Sequence, residues 1–207
     1  MNSIEEKYVY NTYCKIAEHF NKTRHYVWPN IKKYIDNIEK GSFIADIGCG
    51  NGKNMYRNDC YTVGVDFCDK FVEICKQKQQ NVIVGNCLDI PLESNYFDYT
   101  LCIAVLHHLS NYKRRMKCID ELIRITKKNG KILIQVWDYE GNTHRSKTKN
   151  AMIKWNLQKN KKNIHIDRFY HLFSKNELIE MHESKNVKIL DYYNSHNNWV
   201  IELQKID

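Results

Sequence analysis

Asp46-Ile-Gly-Cys-Gly-Asn-Gly52 is the stretch from which the fold can be read. The apolar run Ser42 to Asp46 leads into it, and such a run halting at glycines predicts a buried parallel strand that ends in a tight turn. A turn without side chains at Gly48, Gly50 and Gly52 lets a ligand lie against backbone amides. The spacing is Gly-x-Gly-x-Gly with an acid, Asp46, two positions ahead. Dinucleotide folds use Gly-x-Gly-x-x-Gly instead.

Working outward, Tyr61-Thr-Val-Gly-Val-Asp66, Asn81-Val-Ile-Val84, Tyr99 to Val105 and Lys131 to Trp137 read as further strands. Between them lie helical patterns: one begins at Phe71, and another carries Ile119, Leu122 and Ile123, with Asn129-Gly130 as its left-handed stop. Residues 4–40 read mostly as helix, restarted at Trp28-Pro29 and ended by Lys40-Gly41. Ser174-Lys-Asn-Glu177 reads as a capping box opening a short helix. Residues 187–193 and 198–204 read as two closing strands around a His-Asn-Asn turn. Strand alternating with helix predicts an α/β, doubly wound, seven-stranded sheet, largely parallel with an antiparallel edge hairpin. The whole of 1–207 is expected to be one domain, with N-terminal helices over 1–40 and a basic insertion over 141–166.

Composition narrows the partner. The chain has 32 Lys and Arg against 24 Asp and Glu, a net charge of +8. No acid occurs from Gly141 to Ile166, where Arg145, Lys147, Lys149, Lys154, Lys159, Lys161 and Lys162 are cationic. Lys113-Arg114-Arg115 with Lys117 forms a second cluster. Such patches suit a polyanion, most plausibly nucleic acid. None of the eight cysteines forms a CxxC pair, so no metal site is expected and a reducing compartment fits. With no signal-like or membrane-length apolar run, a cytoplasmic or nuclear protein without membrane contact is expected.

The unusual residues fall at the carboxyl ends of the predicted strands, where ligands bind in such sheets. Asp66 can accept hydrogen bonds from both ribose hydroxyls. Asn86 can reach an adenine edge, with Cys87 beside it and Leu88 as an apolar wall. The fourth strand ends Ala104-Val105-Leu-His107-His108.

Together, Asp46-x-Gly-x-Gly-x-Gly52, Gly64-Val-Asp66, Asn86 and Phe97-Asp98 resemble a class I S-adenosylmethionine-dependent methyltransferase, with its Rossmann-like sheet. Three further pieces resemble the eukaryotic tRNA methyltransferases that esterify 5-carboxymethyluridine at the wobble position: His19-Phe20-Asn-Lys-Thr23-Arg24…Trp28-Pro29, Ile103-Ala-Val-Leu-His107-His108 and Arg168-Phe-Tyr170-His171-Leu-Phe173. The likeness runs from about residue 6 to the C-terminus. Residues 141–164 match no part of that family's longer insertion.

The resemblance implies S-adenosylmethionine as cofactor, tRNA as substrate and a small zinc-binding activator that adds to an edge strand. It implies attack by a carboxylate, which is ionised at pH 7 and needs no general base. Gly48, Gly50, Gly52, Asp46, Asp66, Asn86, Cys87, Leu88, Ala104 and Val105 would then line the cofactor, and Arg24 would pair with its methionyl carboxylate. Arg168 and His171 would orient the substrate carboxylate, with His107 beside the methyl group. Two rival readings remain at this level: a small-molecule methyltransferase of the same fold, and a catalytically silent RNA-binding scaffold.

Overall fold

The computed structural model describes residues 3–142, 145–159, 162–183 and 185–207, apart from the side chains of 158–163. Seven strands form one sheet: β1 (Phe43–Ile47), β2 (Tyr61–Asp66), β3 (Val82–Val84), β4 (Phe97–Ile103), β5 (Thr126–Trp137), β8 (Val187–Asn194) and β9 (Asn198–Lys205). Their order is β3-β2-β1-β4-β5-β9-β8. The first five run parallel, while β9 pairs antiparallel with both β5 and β8. The central strands are apolar on both faces, as strands covered by helices must be. Ala45, Ile47, Cys102, Ile132 and Ile134 are fully buried against Cys118, Ile119 and Leu122. Strand order reverses between β1 and β4, which opens a crevice at their carboxyl ends.

Helices cover the sheet. α1 (Ser3–Glu5) continues through a π turn, Glu6–Tyr10, into α2 (Asn11–Thr23), and α3 spans Pro29–Asp36. Pro29 stands in the first turn of α3, where its missing N–H costs nothing. α4 covers Asp69–Gln77 and α5 Tyr112–Ile125; the Asn111 side chain caps α5 by accepting from Arg114 N at 3.1 Å. α6 (Glu177–Glu180) is a single turn.

Three local expectations are corrected. Asn129-Gly130 does not stop α5, which already ends at Ile125; Asn129, at φ +63°, turns a bulge inside β5. The capping box at Ser174 does not form, because the Glu177 carboxylate is engaged by His171 and Lys149 instead of the helix start. The cluster at residues 113–117 is largely not a free cationic patch. Arg114 is bound by the buried Glu5 at 2.6 Å, Arg115 is itself buried, and Lys117 pairs with Glu121.

The basic insertion folds as a two-stranded hairpin, β6 (Asn150–Lys159) with β7 (Lys162–His171), outside the main sheet. Lys161 and the side chains of Lys159 and Lys162 lie outside the described residues. One face of the hairpin is apolar: Trp155 and Phe169 pack with Val9, Tyr13, Ile16 and Ala17 of the N-terminal helices. The hairpin and these helices together roof the crevice.

Candidate active site

A cavity of about 450 Å³ opens at the carboxyl ends of β1, β2 and β4. Its floor is the glycine turn, where Gly48 and Gly52 adopt φ +72° and +71°. A Cβ on Gly48 would collide with Val105 and one on Gly52 with Gln80. Gly50 differs, because a Cβ there would meet only Phe20, at 3.9 Å, and would project into the open cavity. That empty space beside a bare backbone is where a nucleoside-bearing ligand fits.

Asp66 ends β2 on the same floor. Its two carboxylate oxygens accept from Gly50 N at 2.8 Å and Cys68 N at 2.9 Å. Burial raises its carboxyl to about 6, so it is still mostly ionised at neutral pH. The two N–H donors fix its orientation, and its remaining lone pairs can accept from ligand hydroxyls. Asn86 and Cys87 line the next wall; Asn86 Oδ1 accepts from Leu88 N at 3.0 Å. Ala104, at φ +63°, and Val105 form the side under the reversal point. An alanine in left-handed backbone carries local strain.

The opposite wall is built by residues far apart in sequence. Arg168 of β7, buried, donates through one terminal nitrogen to Tyr170 Oη at 2.6 Å and Tyr13 Oη at 3.4 Å. Tyr13 Oη also lies 2.9 Å from His108 Nε2, and His108 Nδ1 lies 2.8 Å from the Phe169 carbonyl. A carbonyl can only accept, so Nδ1 carries the hydrogen, Nε2 accepts, and Tyr13 donates to it. Burial pulls His108 down to about 3, which keeps the ring neutral. His107 is also neutral: burial, then the neighbouring His108 and Arg168, hold it well below its ordinary value. Its Nδ1 accepts from Trp137 N at 3.2 Å, leaving Nε2–H as its donor. Trp137 stacks on Tyr170 at 4.5 Å, which gives this wall a flat aromatic face.

Of the sequence-predicted residues, Arg24, Gly48, Gly50, Asp66, Asn86, Cys87, Ala104, Val105, His107 and Arg168 all line this cavity. Four do not. Gly52 is turned toward Gln80 and supports the loop from below. Leu88, half-buried, packs against the main core. Asp46 is sealed beneath the turn, where burial raises it to about 7 with Asn54 partly opposing. His171 lies between Asn150 Oδ1 (2.7 Å) and Glu177 Oε1 (2.6 Å) at the base of the hairpin. It is corrected from substrate contact to support of the hairpin. Sequence reading missed Tyr13, Trp155, Tyr170 and Lys53, because aromatic and lysine side chains read as core or surface until the chain is folded. Only Tyr170 stood inside a quoted motif.

Known proteins give the family and the fold. The methyltransferase-domain family profile matches residues 45–134. A tRNA (carboxymethyluridine(34)-5-O)-methyltransferase of Schizosaccharomyces pombe is 34% identical over an alignment of 223 positions, gaps included, which covers 97% of each chain. A methyltransferase of the same activity name from Xenopus tropicalis is 30% identical over an alignment of 262 positions, gaps included, which covers 99% of this chain and 42% of that protein. Among solved structures, an S-adenosylmethionine-dependent methyltransferase of Clostridium acetobutylicum superposes with TM-score 0.73 at 12% identity, over 94% of this chain and 99% of its own. The Haloferax volcanii complex of the Trm112 methyltransferase activator with a methyltransferase gives TM-score 0.70 at 13% identity, over 97% and 99%. These two structures are alike in fold. The open space before Gly50 and the Asp66 carboxylate fit S-adenosylmethionine, the cofactor of this domain. With a 34% identical relative matched almost end to end, the chain belongs to the tRNA (carboxymethyluridine(34)-5-O)-methyltransferase family.

Proposed function

We propose that this protein methylates the carboxylate of 5-carboxymethyluridine at the wobble position of tRNA, forming the methyl ester. When bound, S-adenosylmethionine supplies a methyl group activated on a sulfonium. Gly48, Gly50, Asp66, Asn86, Cys87, Ala104 and Val105 would hold it, with Arg24 on its carboxylate. Arg168 would take one oxygen of the acceptor carboxylate and leave the other free to attack. The aromatic face of Trp137 and Tyr170 suits a nucleobase, and His107 would donate from Nε2.

The observation that carries this reading is the state of the proton acceptors. Among the described residues lining the cavity, no imidazole has a free basic nitrogen. His107 and His108 are committed as above, and His19 Nδ1 accepts from Trp155 Nε1 at 3.1 Å. Glu5 is held by Arg114 and Ser110, and Asp66 by two backbone amides. An amine or hydroxyl acceptor must lose a proton; a carboxylate arrives already ionised. The S. pombe and X. tropicalis relatives carry that activity in their names.

The rim fits an RNA partner: Arg24, Arg145 and Lys154 are exposed at the cavity mouth. For a small zinc-binding activator, the open edge at β3 is available, where Val84 is 57% exposed. Mass spectrometry of nucleosides from tRNA bearing carboxymethyluridine should show a gain of one methyl that mild base removes, larger when the activator is co-expressed. Comparable methylation of tRNA lacking the carboxymethyl group, or a base-stable product, would overturn the assignment.

A further inference from the structure

Trp155 of β6 stands in the basic insertion, outside every motif that marks the cofactor site, yet it is buried against the roof of the site. The Arg24 guanidinium lies 4.8 Å from the ring centre and the Arg168 guanidinium 4.9 Å. Phe20 stacks on it at 5.7 Å with a 23° tilt, and Nε1 donates to His19. Neither arginine has a carboxylate partner among the described residues. Arg24 donates to the Thr23 carbonyl, while Arg168 uses two tyrosine hydroxyls and leaves Nε without a partner. Two cations on one ring repel each other, and the ring quadrupole offsets that only in part. Each arginine therefore still offers its charge to an anion in the cavity.

The two stand on different sides of it. Arg24 leaves α2 beside the glycine turn, and its carbonyl accepts from Asn51. Arg168 stands with Tyr13, His108 and Tyr170 on the wall across from it. We propose that Trp155 is a positioning residue, a shared aromatic platform that sets the spacing between a cofactor-side guanidinium and an acceptor-side one. The identity of the second anion rests on the proposed function; the cofactor side does not.

The test uses the full chain. In protein labelled with 5-fluorotryptophan, the ¹⁹F resonance of Trp155, assigned by its loss in Trp155→Phe, should shift when S-adenosylhomocysteine is added. By calorimetry, Trp155→Leu should bind S-adenosylhomocysteine about 3- to 30-fold more weakly, the range of a lost cation–aromatic contact, with Trp155→Phe recovering most of it. On tRNA, Trp155→Leu should raise KM and lower kcat together, whereas Trp155→Phe keeps kcat within about threefold of wild type. An unshifted resonance, or a Leu variant matching wild type in Kd, KM and kcat, overturns the proposal. So does a Phe variant as impaired as Leu, since the ring face would then be irrelevant. Should the wild type bind S-adenosylhomocysteine but leave carboxymethyluridine-bearing tRNA untouched, the function falls while the cofactor arm stands on the first two measurements.

Discussion

At Asp66 a single carboxylate does two jobs: it ties the glycine turn to the end of β2, and it offers lone pairs to the ligand. Asp66→Ala should therefore weaken S-adenosylmethionine binding by about 1.5–3 kcal/mol in calorimetry, the scale for hydrogen bonds to a charged acceptor. Gly50→Val should do at least as much, because its side chain would occupy the cavity. Wild-type affinity in both variants would remove the floor from the site. His182 offers a separate residue-scale test, remote from the cavity. Burial lowers it to about 4 while its Nδ1 bonds the Leu178 carbonyl. The unfolded chain takes up this proton near pH 6.5, so stability is intact above that value and falls as pH drops toward 4. The loss should reach about 3 kcal/mol, and thermal unfolding of His182→Gln should show a shallower acid slope. Asp46, raised to about 7, acts in the opposite sense and loses stability as pH climbs from about 4 to 7. An acid slope unchanged in His182→Gln would mean that the histidine is not held neutral.

The β6–β7 hairpin is the element that separates this site from a bare cofactor fold. Its base is pinned by Glu177, which binds His171 at 2.6 Å and Lys149 at 2.9 Å and lies 3.8 Å from the buried Arg115. Burial works to raise the Glu177 carboxyl, but hydrogen bonds from His171 and Lys149 outweigh it and hold it at about 2. Glu177→Gln should cost about 1–3 kcal/mol of stability. It should also speed hydrogen exchange in 150–171 more than in β1 or β4. Turnover on tRNA should fall by a larger factor than S-adenosylmethionine affinity does. Uniform exchange rates across the chain would show that Glu177 does not anchor the hairpin.

For the whole molecule, the question is where the excess positive charge meets RNA. Arg114 and Arg115 are drawn into internal contacts, whereas Arg145 and Lys154 stay exposed at the mouth of the cavity. Replacing both with Gln should reduce the salt dependence of tRNA binding, since each lost phosphate contact removes about 0.7 from the slope on single-stranded RNA. S-adenosylmethionine affinity should not change. An identical slope in the double variant would move the RNA footprint elsewhere on the surface.

The amino-acid sequence by itself determined the strands of the sheet, its edge hairpin and the glycine turn, because those depend on local signals. An apolar run meeting glycines dictates a buried strand and a bare turn; Asp66 closes its strand and Asn86 stands two residues past its own. The paired strands at the C-terminus were legible for the same reason. Only the tertiary structure decided the acceptor side. Tyr13, His108 and Trp155 come from α2, the turn after β4 and β6, and no spacing within one element links them to one another or to the Arg168 and Tyr170 pair of β7. The same holds for the exclusions. His171 shares a motif with Arg168, but strand alternation and the Glu177 carboxylate turn it away from the cavity, and Leu88, two residues past Asn86, packs half-buried against the core. A side chain's direction follows from what packs beside it, and on the acceptor wall Phe169 lies 61 residues from His108 and Tyr13 lies 155 residues from Arg168 in the chain.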